Sequence, residues 1–237
     1  MIRTIFVFLL IVIISGCAGN TLDRKDATQY DKGSFNQLGK LDFDRMADYE
    51  IRENFESLKT LMIKLYKRNP SELRKTSSDN AEQTANYFFS NPKHKWNIEG
   101  INFKQDFDAV YQAFDENFEG DRVLSLIAGL YTMIIKAHGG KTEFYIIDSI
   151  EPQNLYNLAR NIEIVVWMLS SKKNSVGKLF LVTNEMNDDL SNLSFEREFG
   201  KMIGRTDYFA YTLSEKTERV ITRFIQGAVG TVLIPFI

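Results

Sequence analysis

Apolar residues recur at three- and four-residue steps through most of this chain, and that period predicts helices. Between Asp44 and Arg68, Met46, Tyr49, Phe55, Leu58, Met62 and Leu65 follow this spacing, with charged residues in most of the places between. Asn69-Pro70 stops the helix, and Asn69 as cap with Pro70 at the first position opens a short second one. Ser77 to Asn80 reads as a loop before a short helix through Tyr87, Phe88 and Phe89, which Asn91-Pro92 ends. Phe103 to Phe118 sets Phe107, Val110, Tyr111 and Phe114 on one helical face. Asp121 then caps the most apolar helix of the chain. Its Val123, Leu124, Leu126, Ile127, Leu130, Tyr131, Ile134 and Ile135 leave little polar surface, so it belongs at the centre of a core. Gly139-Gly140 is its stop.

In the second half, Pro152 opens a helix with Leu155, Leu158, Ala159, Ile162, Val166 and Leu169 on one face. Ser194 caps another with Phe195, Phe199, Met202 and Ile203, and a further helix starts at Thr206 with Phe209, Leu213, Val220 and Phe224 in register. Two short apolar runs, Glu143 to Asp148 and Lys178 to Thr183, read as strands able to pair, although runs this short are ambiguous between strand and helix. The pattern predicts a mainly α fold: a single multi-helix domain with at most a short two-stranded β element.

The first seventeen residues follow a different rule. Arg3 supplies a positive charge, Ile5 to Ile14 form an unbroken apolar run, and small Ser15 and Gly16 lead directly to Cys17. The run is far shorter than the roughly 20 residues of a membrane-spanning helix and fits the core of a signal peptide. Ile14-Ser15-Gly16-Cys17 resembles the lipobox of bacterial lipoproteins. That resemblance implies cleavage before Cys17, with a diacylglycerol on its thiol and an acyl chain on the new amine. Two or more acyl chains anchor stably where one binds marginally. Ala18 follows, where an Asp marks inner-membrane retention in enteric lipoproteins, so the resemblance implies the outer membrane, periplasmic face. The stretches LYKRNP, GDRVLSLIAGLYTM, GGKTEFYIIDS and NLYNLARNIEIVVW also resemble a group of uncharacterised proteobacterial envelope lipoproteins, a likeness that carries no activity and no site residues.

The organisation expected is therefore a signal peptide over residues 1–16, a lipidated start and flexible polar tether over 17–40, and a helical domain over 41–237. Cys17 is the single cysteine, so no intramolecular disulfide competes for it and stability must come from packing. With 44% hydrophobic residues, 18 Phe and 10 Tyr, the material for a core is present. Removing Arg3 with the signal peptide makes the net charge of −2 one unit more negative, which gives no basic stripe for a nucleic-acid partner.

The sequence carries none of the familiar catalytic signatures. Gly139-Gly140-Lys141-Thr142 mimics the end of a phosphate-binding loop, but Ile135 stands where the first glycine belongs, and the loop follows a helix where it should follow a strand. His94 and His138 stand far apart, in no metal-binding pattern, and each reads as a surface or core residue. No serine sits in a nucleophile elbow. The carboxylate pairs Asp188-Asp189 and Glu196 with Glu198 point in different directions and read as solvated faces. Glu143, Asp148, Arg160 and Glu163 lie among apolar neighbours and suggest buried ion pairs. No catalytic residue, no metal site and no cofactor beyond the acyl groups on Cys17 is expected.

The last segment, residues 224–237, carries no charge. Three readings stand for it: folding back onto the core, burial against a partner protein, or contact with the membrane. On the partner reading, Phe224, Ile225, Val229, Leu233 and Phe236 form the contact. The functional expectation is a non-enzymatic outer-membrane lipoprotein that binds or scaffolds envelope proteins, for instance as an accessory component of a secretion system. The alternatives are a carrier of lipid or a small apolar ligand, and a peptidoglycan hydrolase.

Overall fold

The computed structural model describes residues 42–77, 79–90, 104–145, 149–187, 190–219, 221 and 232–237. All of them belong to one compact unit, Gly39–Ile237. Its helices are α1 (Asp42–Arg68), α2 (Pro70–Thr76), α3 (Ala81–Ser90), α4 (Asp106–Ala113), α5 (Arg122–Ala137), α6 (Pro152–Ser171) and α7 (Ser194–Thr217). A two-stranded antiparallel hairpin, β1 (Glu185–Asn187) and β2 (Leu190–Asn192), precedes α7. The fold is mainly α and forms a single domain.

Helix α5 is the hub, as its composition demands. Leu126, Ile127, Leu130, Met133 and Ile134 are wholly buried, each worth roughly 1.5–3 kcal/mol relative to exposure. Helix α1 runs antiparallel to α5: Phe55 stacks on Tyr131 at 4.2 Å, and the Tyr66 hydroxyl donates to Asp121 Oδ2 at 2.7 Å. The other carboxylate oxygen of Asp121 accepts from Leu124 N at 2.9 Å, so the sequence-read cap also ties α5 to α1. Helix α7 runs antiparallel along α1, from Ser194 beside Lys64 to Lys216 beside Phe43, and packs antiparallel on α6, where Arg160 bridges Asp207 at 2.5 Å and Glu163 at 3.0 Å.

Helix α4 lies unusually close to α5. A Cβ on Gly129 would stand 2.8 Å from Asp106 O and 2.9 Å from Val110 N, so only glycine permits this approach. Ser125 Oγ, one turn away, donates to Ala109 O at 2.8 Å, and Thr132 Oγ1 accepts from Asp106 N at 2.7 Å. Asp106 starts the helix in the left-handed region at φ 50°. Beyond α4, Arg122 gathers the turn by donating to the carbonyls of Ala113, Asp115 and Phe118.

Several sequence expectations shift. The helix expected over 103–118 is confined to α4, because Phe114 leaves helical geometry and a turn held by Arg122 follows. The expected strands are absent where the structure describes those runs. Glu143 to Tyr145 is irregular, and 178–183 contributes one isolated bridge, Lys173 with Leu179; residues 146–148 lie outside the described residues. The hairpin lies instead in the polar stretch 185–192. The helices expected from Ser194 and Thr206 are one continuous α7, capped at Leu193 with no side-chain bond, so Ser194 is not its cap. Asn69 does stand at the N-cap of α2 with Pro70 behind it, but its side chain makes no capping bond. Its amide clamps Val182, donating to the carbonyl at 2.9 Å and accepting from the N–H at 2.8 Å. Glu143 is exposed, not in a buried pair.

Among the described residues no helix is long and apolar enough to cross a membrane.

Candidate functional site

Two sets of buried polar side chains stand out. The first is sealed inside the core. His138 Nδ1 lies 2.8 Å from Ile134 O, and Nε2 lies 2.7 Å from Glu50 Oε2. Both neighbours can accept, so a proton on each ring nitrogen would face an oxygen, an arrangement that favours the charged ring. Burial, the largest single influence, would lower the His138 pKa, but the charge of Glu50 and the hydrogen bonds to Glu50 and Ile134 together outweigh it and raise it. Burial would likewise raise Glu50, yet His138, Thr206 and Asn54 hold it below its ordinary value. Thr206 donates to Glu50 Oε1 at 2.6 Å, Asn54 donates to the same oxygen at 2.5 Å, and Arg205 donates to Asn54 Oδ1 at 2.5 Å. The cluster joins α1, α5 and α7 with His138 and Glu50 inaccessible to solvent, so its chemistry is that of a lock.

The second set lies on α6. Asn154, Asn157 and Asn161 are buried, although asparagine gains little from a helix interior. Spaced at i, i+3 and i+7, they share one face, and along that face runs the extended segment 233–237. Asn161 Oδ1 accepts from Ile234 N at 2.6 Å while its Nδ2 donates to Ile234 O at 2.9 Å. Asn154 treats Ile237 the same way, at 2.8 Å and 2.9 Å. Between them Asn157 donates to Pro235 O at 2.8 Å. Proline offers no N–H, and the free oxygen of Asn157 accepts from Gln153 Nε2 at 2.8 Å instead.

The spacing follows from two rises. Seven helical residues advance about 10.5 Å at 1.5 Å each. Three extended residues, 234 to 237, advance about 10 Å. The row of amides therefore stays in step with an extended backbone running antiparallel to it.

Side chains complete the dock. Tyr111 of α4 accepts from Leu233 N at 2.8 Å, and Leu233 is buried. Phe236 lies 5.6 Å from Phe107, with Lys136 Nζ 6.0 Å from each ring. Val232 and Ile237 remain exposed, so the side-chain anchors of the segment are Leu233 and Phe236.

No family model, no curated protein and no solved structure matches this chain. Its site is therefore read from its own geometry. Of the residues singled out by sequence, Ile14, Ser15, Gly16 and Cys17 lie outside the described residues, as do Phe224, Ile225 and Val229. Leu233 and Phe236 pack within the chain. Asn154, Asn157, Asn161 and Tyr111 were missed. Three asparagines on one apolar helix face were the available signal, because buried amides must find partners.

A small cleft, about 130 Å³, lies between the start of α1 and the end of α7, walled by Phe43, Phe144, Ile150, Phe209 and Leu213. Lys216 Nζ sits over the Phe43 ring at 3.6 Å, and Arg219 pairs with Glu151 at 2.6 Å. Among the described residues no group of three or more His, Cys, Asp or Glu is placed to hold a metal.

Proposed function

We propose that this chain is a lipid-anchored envelope protein, held in the outer membrane through acyl chains on Cys17, whose helical domain binds other proteins without catalysing a reaction. The observation that carries the anchor is Ile14-Ser15-Gly16-Cys17 after an unbroken apolar run. Protein binding draws support from the α6 dock, whose amides take hold of polypeptide main chain as such. The polar cluster around His138 serves the fold, closed by Glu50, Thr206 and Asn54.

The anchor is tested by growing cells on an alkyne fatty acid. The wild-type chain takes up label and sediments with membranes; Cys17→Ser does neither. An unlabelled wild-type chain removes the proposal. Partner binding is tested by crosslinked pull-down from native membranes, comparing the full chain with one cut after Arg223. Partners that change with the cut place their contact at this face, and no reproducible partner for either chain ends the scaffold reading.

A second reading, a carrier for a small apolar ligand, rests on the cleft beside Phe43. Ligand sites for drug-sized molecules run to roughly 300–1,000 Å³, so this space fits a single ring better than an acyl chain.

A further inference from the structure

We propose that the α4–α6 dock is a receptor for an extended segment of a partner protein, and that residues 233–237 occupy it as a replaceable stand-in. The inference rests on the protein-binding reading above and deepens it. The grip on this segment is mostly to its backbone. The N–H groups of Leu233, Ile234 and Ile237 are held by Tyr111, Asn161 and Asn154. The carbonyls of Ile234, Pro235 and Ile237 are held by Asn161, Asn157 and Asn154. Any polypeptide offers these groups when extended, and the row of amides admits it wherever its rise matches.

Side-chain chemistry narrows the partner. Leu233 enters a buried position, and the ring of Phe236 meets Phe107 under the ammonium of Lys136. The segment recognised has a branched apolar residue, then two residues read through their backbone, then an aromatic ring. Proline suits the third place, where Asn157 asks for a carbonyl and the site requests no N–H. The exposed side chains of Val232 and Ile237 are not read. A partner's segment and the chain's own cannot hold the dock together. The chain's own copy has the advantage of being part of the same molecule, so a partner must bring contacts beyond the dock or arrive where the stand-in is weakened.

The experiment uses the mature full chain made lipid-free by Cys17→Ser, and as probe a fluorescent peptide of residues 232–237 on a soluble leader. In the Phe236→Ala background the stand-in loses its ring, and the probe binds about tenfold or more tighter than it binds the unaltered chain. Adding Asn161→Leu to that background lowers probe affinity about tenfold by removing two hydrogen bonds. Probes with Leu233→Asp or Phe236→Ala fail to bind, whereas substitution of Val232 in the probe has no effect. Equal affinity for the unaltered and Phe236→Ala chains overturns the proposal, as does indifference to Asn161→Leu.

Hydrogen exchange of the chain with Phe236 intact gives a second readout if Phe236→Ala does not fold. Saturating unlabelled probe speeds exchange at Ile234 and Ile237 and leaves α5 unchanged, and no change at those two amides rejects displacement. An exchanged dimer, in which a second copy supplies the segment, would appear by light scattering and would reject a different protein as the occupant. Failure here with membrane partners still captured sinks the dock alone; probe binding with no membrane partner sinks the scaffold reading and with it the partner as occupant, leaving only an exchangeable segment.

Discussion

The cluster around His138 and the amide row on α6 bury the same kind of cargo by opposite means. In the first, each polar group is answered by a side chain or carbonyl of α1, α5 or α7, elements that also carry the apolar core. In the second, the amides of α6 are answered mainly by the backbone of residues 233–237, a segment with one fully buried side chain. Opening the cluster means separating packed helices, whereas opening the row means lifting a short segment without secondary structure of its own. Burial fraction alone does not tell the two apart, since Asn161 is as buried as His138. What distinguishes them is how firmly the partner is itself held, and that sets which polar set is a fastening and which is a site.

The largest expected effect breaks the cluster. His138→Ala leaves the Glu50 carboxylate buried and unpaired and costs about 3–5 kcal/mol in urea denaturation. Glu50→Gln combined with His138→Ala loses less than the single variant, because no buried charge remains without a partner. The same pair sets a pH window. His138 is raised above its ordinary 6.5, so its contribution is fully present below 6.5 and fades as pH rises through the raised value. Glu50 is lowered below its ordinary 4.5, so its contribution is complete above 4.5 and fades as pH falls through the lowered value. Stability from the pair is thus greatest between 4.5 and 6.5. Urea midpoints measured from about pH 3 to about pH 9 follow that profile, and in His138→Ala the fall above 6.5 disappears.

Next in size is Gly129→Ala, whose methyl meets the backbone of α4 and costs roughly 1–3 kcal/mol by thermal melting. Asn161→Leu comes third. Lifting the segment leaves Ile234 to water, so the loss is about 1–2 kcal/mol, and hydrogen exchange rises at Ile234 and Ile237 well before it rises in α5. If Asn161→Leu instead loosens α5 as much as His138→Ala does, the two regions are one cooperative unit and the distinction fails. Smallest is Lys67→Ala, which removes an exposed ion pair with Glu82 and leaves the melting midpoint unmoved.

The helices were legible because their apolar faces repeat and their ends are marked. Pro152, Asp121 and Gly139-Gly140 sit where the structure uses them, the two glycines with φ of 72° and 80°. The α7 boundary was misread because Gly200 and Gly204 weaken the pattern locally, while packing along α1 and α6 carries one helix through both. Strands were misplaced because a short apolar run is the same string whether it pairs or merely covers a core, as Leu181 does. The amide row escaped notice for a different reason. Its logic is a match between two separate segments, and nothing local to residues 154–161 states that an extended backbone will arrive from residue 233 onward. The row had a single visible trace: three asparagines at i, i+3 and i+7, beside the apolar face of the same helix.

Recognition of main chain at Asn154, Asn157 and Asn161 also governs how this sequence is free to drift. Side-chain substitutions at Val232 or Ile237 that keep the backbone N–H leave every amide contact of the row intact. The inserted or deleted residue is another matter. One residue more between 234 and 237 throws the segment about 3.3 Å out of step, and Asn154 then faces the wrong peptide group. Length therefore constrains this tail as tightly as the side chains of Leu233 and Phe236 do.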